Sequence, residues 1–191
     1  MKTLYALLIS LILAAGFGLA ACQRPDKVEA AGEPDATRDR ATALTPDLKE
    51  FTDYAAEMHS GEIMLAQFAK QESSSNDVKN YANAVINTHT EALEDLSNQT
   101  EQTRTSQATA ASTDTQRHAD YLSPLTGATF DREFIDLMIA DHKDAVNTFK
   151  AQLDVSKNRP LMSYMKVVVP KLENRLREAE RIQGTFKAKT D

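Results

Sequence analysis

Four stretches of this chain carry apolar residues every three or four positions, the repeat that lines them up on one side of a helix. No stretch alternates with the period of a strand over a useful length. The first seam reads Leu48, Phe51, Ala55, Met58, Glu62, Leu65, Ala69, and the second Val78, Ala82, Val85, His89, Ala92, Leu96. The third reads Ile135, Met138, His142, Ala145, Phe149, and the fourth Leu161, Met165, Val168, Leu172, Arg175, Ala179, Ile182. A helix with one apolar stripe is stable in water only when the stripe is covered, so four of them predict an all-α domain with a shared core.

The punctuation between the seams sets the helix limits. "TPDLKEF" reads as a start, with Thr45 as cap, Pro46 in the first turn and Asp47 near the positive end. That helix runs to about Gln71, and the Ser-rich "ESSSND" turns the chain into a second helix from Asn76 or Asp77 to about Leu96. A polar link rich in Thr, Gln and Ala follows, stopped by Pro124 and Gly127. Thr129 is expected to cap a third helix ending near Val155, and Pro160 opens a fourth that reaches about Gln183. A long link can cross a bundle end to end and leave helices two and three parallel, the connection used by ferritin-like folds. The expectation is therefore a ferritin-like four-helix bundle over residues 45–185, with up-down-up-down topology as the alternative.

The first 21 residues have the layout of an export signal: a positive Lys2, an apolar run from Leu4 to about Ala15, and small residues before Cys22. The run is short for a membrane span. Leu19-Ala20-Ala21-Cys22 resembles the bacterial lipobox, so Cys22 is the expected lipidation site and the membrane the expected partner. Cys22 is the only cysteine, which excludes disulfides within the chain. Gln23, rather than Asp, after the cysteine resembles lipoproteins sent on to the outer membrane, facing the periplasm. Residues 22–44, with few large apolar residues, several charges, two Pro and one Gly, read as a tether. Cleavage removes only Lys2 among charged residues, leaving 21 basic against 28 acidic side chains. An acidic chain without a basic run is a poor nucleic-acid partner, and the lipid would do the anchoring.

Each seam is interrupted once, by Glu62, His89, His142 and Arg175. His89 and His142 each lie 12 residues past their expected starts at Asp77 and Phe130, ~18 Å along either helix. Parallel second and third helices would put them side by side, with Glu62 and Arg175 within about one turn of that level, so Arg175 is expected to face Glu62 in a buried polar layer. Buried polar residues of this kind can simply fix register. A di-iron site needs Glu-x-x-His on two helices; Ile86 and Ile139 stand where those glutamates belong, so a di-iron cofactor is not expected. Glu62, His89 and His142 do match a two-His-one-carboxylate set for one metal ion. Arg175 argues against it unless another acid joins. Asp141 points about 100° away from His142. His59 and Glu57 lie off the first seam and His118 in the link, and all three read as solvated. Met58, Met138 and Met165 read as core.

"GEIMLAQFA", "VKNYANAVINTHTEAL", "LTGATFDREFIDLMIADHKDAV" and "VVVPKLENRL" resemble, in order, the motifs of a bacterial family of predicted outer-membrane proteins, the ferritin-like domain of unknown function family 4142. The resemblance covers about residues 47–184. It places the family's helix-one Glu on Glu62 and its helix-two and helix-three His on His89 and His142. Thr88 stands where the family often has Asp. Pro170, Leu172 and Leu176 match its last motif, but Arg175 replaces a His. The resemblance implies a fold rather than an activity. The first functional expectation is a non-enzymatic binding, sensing or stress-related module of the cell envelope; the rival is a mononuclear metal-binding protein or metal-dependent oxidoreductase built on Glu62, His89 and His142.

Overall fold

The computed structural model describes residues 46–100 and 112–187. The signal over 1–21, the tether over 22–44 with Cys22, and the Thr45 cap lie outside the described residues. Among the described residues five helices follow in order: α1 (Pro46–Glu72), α2 (Asn76–Thr100), α3 (Thr113–Leu122), α4 (Gly127–Val155) and α5 (Arg159–Lys187). Among the described residues there is no strand, and no helix is long and apolar enough to cross a membrane.

The starts are set by short polar side chains that satisfy free backbone N–H groups. Ser75 Oγ accepts from the N–H of Val78, Ser112 Oγ from Thr115 at 3.0 Å, and Asn158 Oδ1 from Leu161 at 3.0 Å. The exception corrects an expectation. Thr129 is inside α4; the helix begins two residues earlier because Gly127 accepts a φ of +57°, and Thr126, in extended conformation, gives no side-chain cap.

The core is in two parts. One cluster joins Leu65, Ala66 and Ala69 of α1, Val78, Tyr81 and Val85 of α2, Phe130, Phe134 and Met138 of α4, and Ala179 and Ile182 of α5. The other joins Phe51 and Ala55 of α1, Ala92 and Leu96 of α2, Ala145 and Phe149 of α4, and Leu161 through Leu172 of α5. The N-terminal halves of α2 and α4 share the first cluster and their C-terminal halves the second. The two helices therefore run the same way, with α1 and α5 antiparallel to them. Asp131, buried near the start of α4, accepts hydrogen bonds from Ser73 and Ser74 in the α1–α2 turn, which pins that turn to the same end.

The long link carries α3, which the sequence pattern does not reveal. Leu122 at its end is fully buried in the first cluster, worth ~1.5–3 kcal/mol. Its start docks on α1 at Gly61, where a Cβ would stand 2.4 Å from Thr115 Oγ1. Only a residue without a side chain allows that approach. α3 thus spans the gap between α1 and α4, which pack on each other far less closely than α1 on α2 or α4 on α5.

Candidate functional site

The boundary between the two apolar clusters is polar. On α1, Glu62 falls between Met58 of one cluster and Leu65 of the other; on α2, His89 falls between Ala92 and Val85; on α4, His142 falls between Ala145 and Ile139. Glu62 is 4% exposed, His89 0% and His142 1%. One potential ligand atom from each lies within 4.8 Å of the others. His89 Nε2 and His142 Nε2 are 3.4 Å apart, and His142 Nδ1 is 4.0 Å from Glu62 Oε1.

His142 Nδ1 sits 2.8 Å from the carbonyl oxygen of Met138, one turn back on α4. A carbonyl only accepts, so Nδ1 carries the hydrogen and Nε2 is left with its lone pair in the neutral ring. A backbone carbonyl holding the outer nitrogen of a ligating histidine is the usual way such a ring is oriented.

His59 is a correction. Expected in solvent, it is 0% exposed. Its Nδ1 is 3.0 Å from His89 Nδ1, and its Nε2 is 2.7 Å from the hydroxyl of Tyr164 on α5. Phe149 packs edge-on against its ring. The apolar face of α1 is wider than one seam, so Ala55, His59 and Glu62 all turn inward. Glu57 is exposed, and His118, on α3, has a side chain 35% exposed, 3.5 Å from Asp141.

Arg175 borders this layer without the expected ion pair to Glu62. Its Nη1 pairs with Glu178 on the same helix at 2.7 Å, and its side chain keeps 14% exposure. A partner one turn away reaches the guanidinium at the rim, where water still solvates it, whereas pairing with Glu62 would bury both charges. Although Glu178 pairs with it, the guanidinium still disfavours positive charge on His89 and His142.

Burial dominates the electrostatics. It holds His142 down to about 4 and His89 well below the usual imidazole range, with His59, His142 and Arg175 lowering His89 further. It pushes the Glu62 carboxyl well above the usual carboxylate range, with Asp141 adding to the rise. Burial thus disfavours charge throughout the layer: the imidazoles are neutral at neutral pH, and the Glu62 carboxyl is pushed toward its protonated form.

Three buried side-chain atoms among the described residues have no hydrogen-bond partner: Glu62 Oε2, Tyr81 Oη and Arg175 Nε. They share one neighbourhood, since Glu62 and Arg175 are the leading charges acting on the Tyr81 hydroxyl. A cleft of about 330 Å³ beneath α3 reaches this place, lined by Glu57, Glu62, Asp114, Asp141 and Asp144 among others. Burial also lifts Asp141 to about 6, with His118 opposing. A cleft walled by carboxyl groups attracts cations.

The two imidazole nitrogens fit a metal ion, and Glu62 supplies a carboxylate oxygen within 4.8 Å of them. Nitrogen ligands ~2.0–2.1 Å from a tetrahedral ion lie ~3.4 Å from each other, which is the spacing of the two Nε2 atoms. The same spacing is long for an N–H···N hydrogen bond. Tyr81, Tyr164 and His59 were missed by the seam reading because each flanks a seam rather than interrupting one.

No curated protein and no solved structure matches the chain. The family described as domain of unknown function DUF4142 matches residues 33–182, which include every residue of this layer and the cleft above it, and the chain belongs to that family.

Proposed function

We propose that this chain is a cell-envelope protein, anchored by lipid at Cys22 in the outer membrane and facing the periplasm. Its ferritin-like four-helix bundle binds one divalent transition-metal ion through Glu62, His89 and His142. Two helices running the same way across a long link support the ferritin-like reading. The observation that carries the metal reading is the orphaned Glu62 Oε2, buried beside two imidazoles whose Nε2 atoms stand at ligand spacing. A buried oxygen without a partner costs ~1–3 kcal/mol, and an ion here would remove that cost.

The role is binding, for sensing or buffering a metal, and not turnover. The ion would supply a fixed positive charge with positions open for a further ligand. The chain's own part is to orient His142 through Met138 and to admit the ion to Glu62 through the cleft beneath α3.

The test is elemental analysis of the purified protein after exposure to zinc, iron or manganese and desalting. About one equivalent is expected in the wild type and far less in Glu62→Gln. Wild-type protein emerging free of all three metals would overturn the reading. A second reading, a purely structural layer that fixes register, is favoured by the unbroken contacts from Tyr164 to His142. It predicts no metal, and stability kept when the layer is replaced by well-packed apolar residues.

A further inference from the structure

We propose that His59 and Tyr164 form the outer half of the metal site: His59 sets the tautomer of His89, and taking up the ion reverses the hydrogen-bond direction from Tyr164 to His89. This rests on the reading of Glu62, His89 and His142 as metal ligands.

The contacts form one line: Tyr164 hydroxyl to His59 Nε2 at 2.7 Å, His59 Nδ1 to His89 Nδ1 at 3.0 Å, His89 Nε2 to His142 Nε2 at 3.4 Å, and His142 Nδ1 to the Met138 carbonyl at 2.8 Å. The last acceptor fixes every hydrogen in it. Met138 cannot donate, so His142 carries its hydrogen on Nδ1 and offers a lone pair at Nε2. The facing His89 Nε2 then bears a hydrogen, because two lone pairs would repel. That leaves His89 Nδ1 as an acceptor. His59 must donate to it from Nδ1, and its own Nε2 accepts from Tyr164. With three neutral rings this assignment leaves no two lone pairs facing along the line.

A metal ion cannot be bound in that arrangement. Both Nε2 atoms must present lone pairs, and only that of His142 does. His89 becomes a ligand when its hydrogen moves from Nε2 to Nδ1. His59 must then accept at Nδ1, so its hydrogen moves to Nε2 and is donated to the Tyr164 oxygen. Each of the three residues holds one exchangeable hydrogen before and after; only the ring atoms bearing it change, and no net charge is created in the buried line.

This explains the choice of an imidazole at position 59. A carboxylate there would hold His89 in the liganding tautomer but would bury a charge beside Tyr164 and Phe149. A second imidazole can accept or donate across the same 3.0 Å contact. His59 is thus a positioning residue, acting on the ion only through His89.

The experiment is a long-range proton–nitrogen correlation spectrum of the full-length chain in detergent, labelled with nitrogen-15 at histidine, metal-free and with one equivalent of zinc. Metal-free, His59 is expected as the Nδ1–H tautomer and His89 as Nε2–H; with zinc, both exchange. Zinc bound with the His59 tautomer unchanged, or with His59 as imidazolium, overturns the relay alone. Failure of zinc to bind, measured on the same sample, overturns the metal reading and the relay with it. In parallel, His59→Phe is expected to weaken zinc binding roughly 10- to 100-fold. His59→Gln, whose amide oxygen can accept from His89 Nδ1–H, should recover most of that loss. Wild-type affinity in His59→Phe would also overturn the relay.

Discussion

Replacing Gly61 by alanine is expected to lift α3 from α1 and uncover the cleft above Glu62. The new Cβ would stand 2.4 Å from Thr115 Oγ1, about 1 Å inside ordinary contact, with Thr115 Cγ2 at 3.4 Å behind it. Thr115 has little freedom to yield. It is buried, its hydroxyl is 2.9 Å from that of Ser112, and its N–H is held by the same Ser112 side chain. Either the helix start gives up those bonds or α3 moves bodily; overpacking of this kind costs ~1–3 kcal/mol. Alanine also favours α1 by up to ~1 kcal/mol over glycine, so global stability understates the effect. The informative assay is amide hydrogen exchange within α3. A helix of 10 residues is too short to persist undocked, and its protection should fall roughly 5- to 150-fold for that energy. Thr115→Ala in the same chain removes the colliding atoms and leaves the two Cβ atoms 3.5 Å apart, so the double variant should regain protection. Unchanged α3 protection in Gly61→Ala, with no coupling to Thr115→Ala, would refute the docking argument.

Other outcomes follow from the polar layer and the leader. His59 is held by burial, with His142 adding, down to about 3 against 6.5 in the unfolded chain. The unfolded state therefore binds more protons between those values, and stability falls as pH drops below 6.5. At pH 5 this amounts to about 2 kcal/mol; urea unfolding of His59→Phe should show a pH 7-to-5 loss smaller than wild type by that much, and equal losses would contradict it. Because burial raises the Glu62 carboxyl toward its protonated form and an ion takes it as carboxylate, zinc uptake should release protons and tighten as pH rises, as calorimetry in buffers of different ionisation heat would show. Arg175 disfavours positive charge on both His89 and His142, so Arg175→Leu should tighten zinc binding several-fold rather than abolish it; weaker binding in a folded variant would count against that field. Cys22→Ser should move the protein from the membrane fraction to the soluble fraction or leave the signal uncleaved, and normal processing with membrane retention would rule out the anchor.

The all-α character was legible in the sequence because a 3.6-residue repeat writes itself directly into the spacing of apolar side chains. Glu62, His89 and His142 were legible for the same reason, since each breaks its own seam. The repeat identifies the centre of a buried face but not its width. His59 and Tyr164 flank their seams, and only the convergence of side chains across the bundle interior brings them into contact. The repeat is also silent on partners. The position of Arg175 was readable, but its choice of Glu178 over Glu62 depends on where the rim of the core meets water. Likewise, nothing in a polar Thr-rich link announces a helix seated on Gly61. α3 exists because tertiary contact at one glycine and one buried leucine stabilises ten residues that would not hold a helix alone. Local periodicity records what each helix must hide; which side chains meet is decided by how the helices converge.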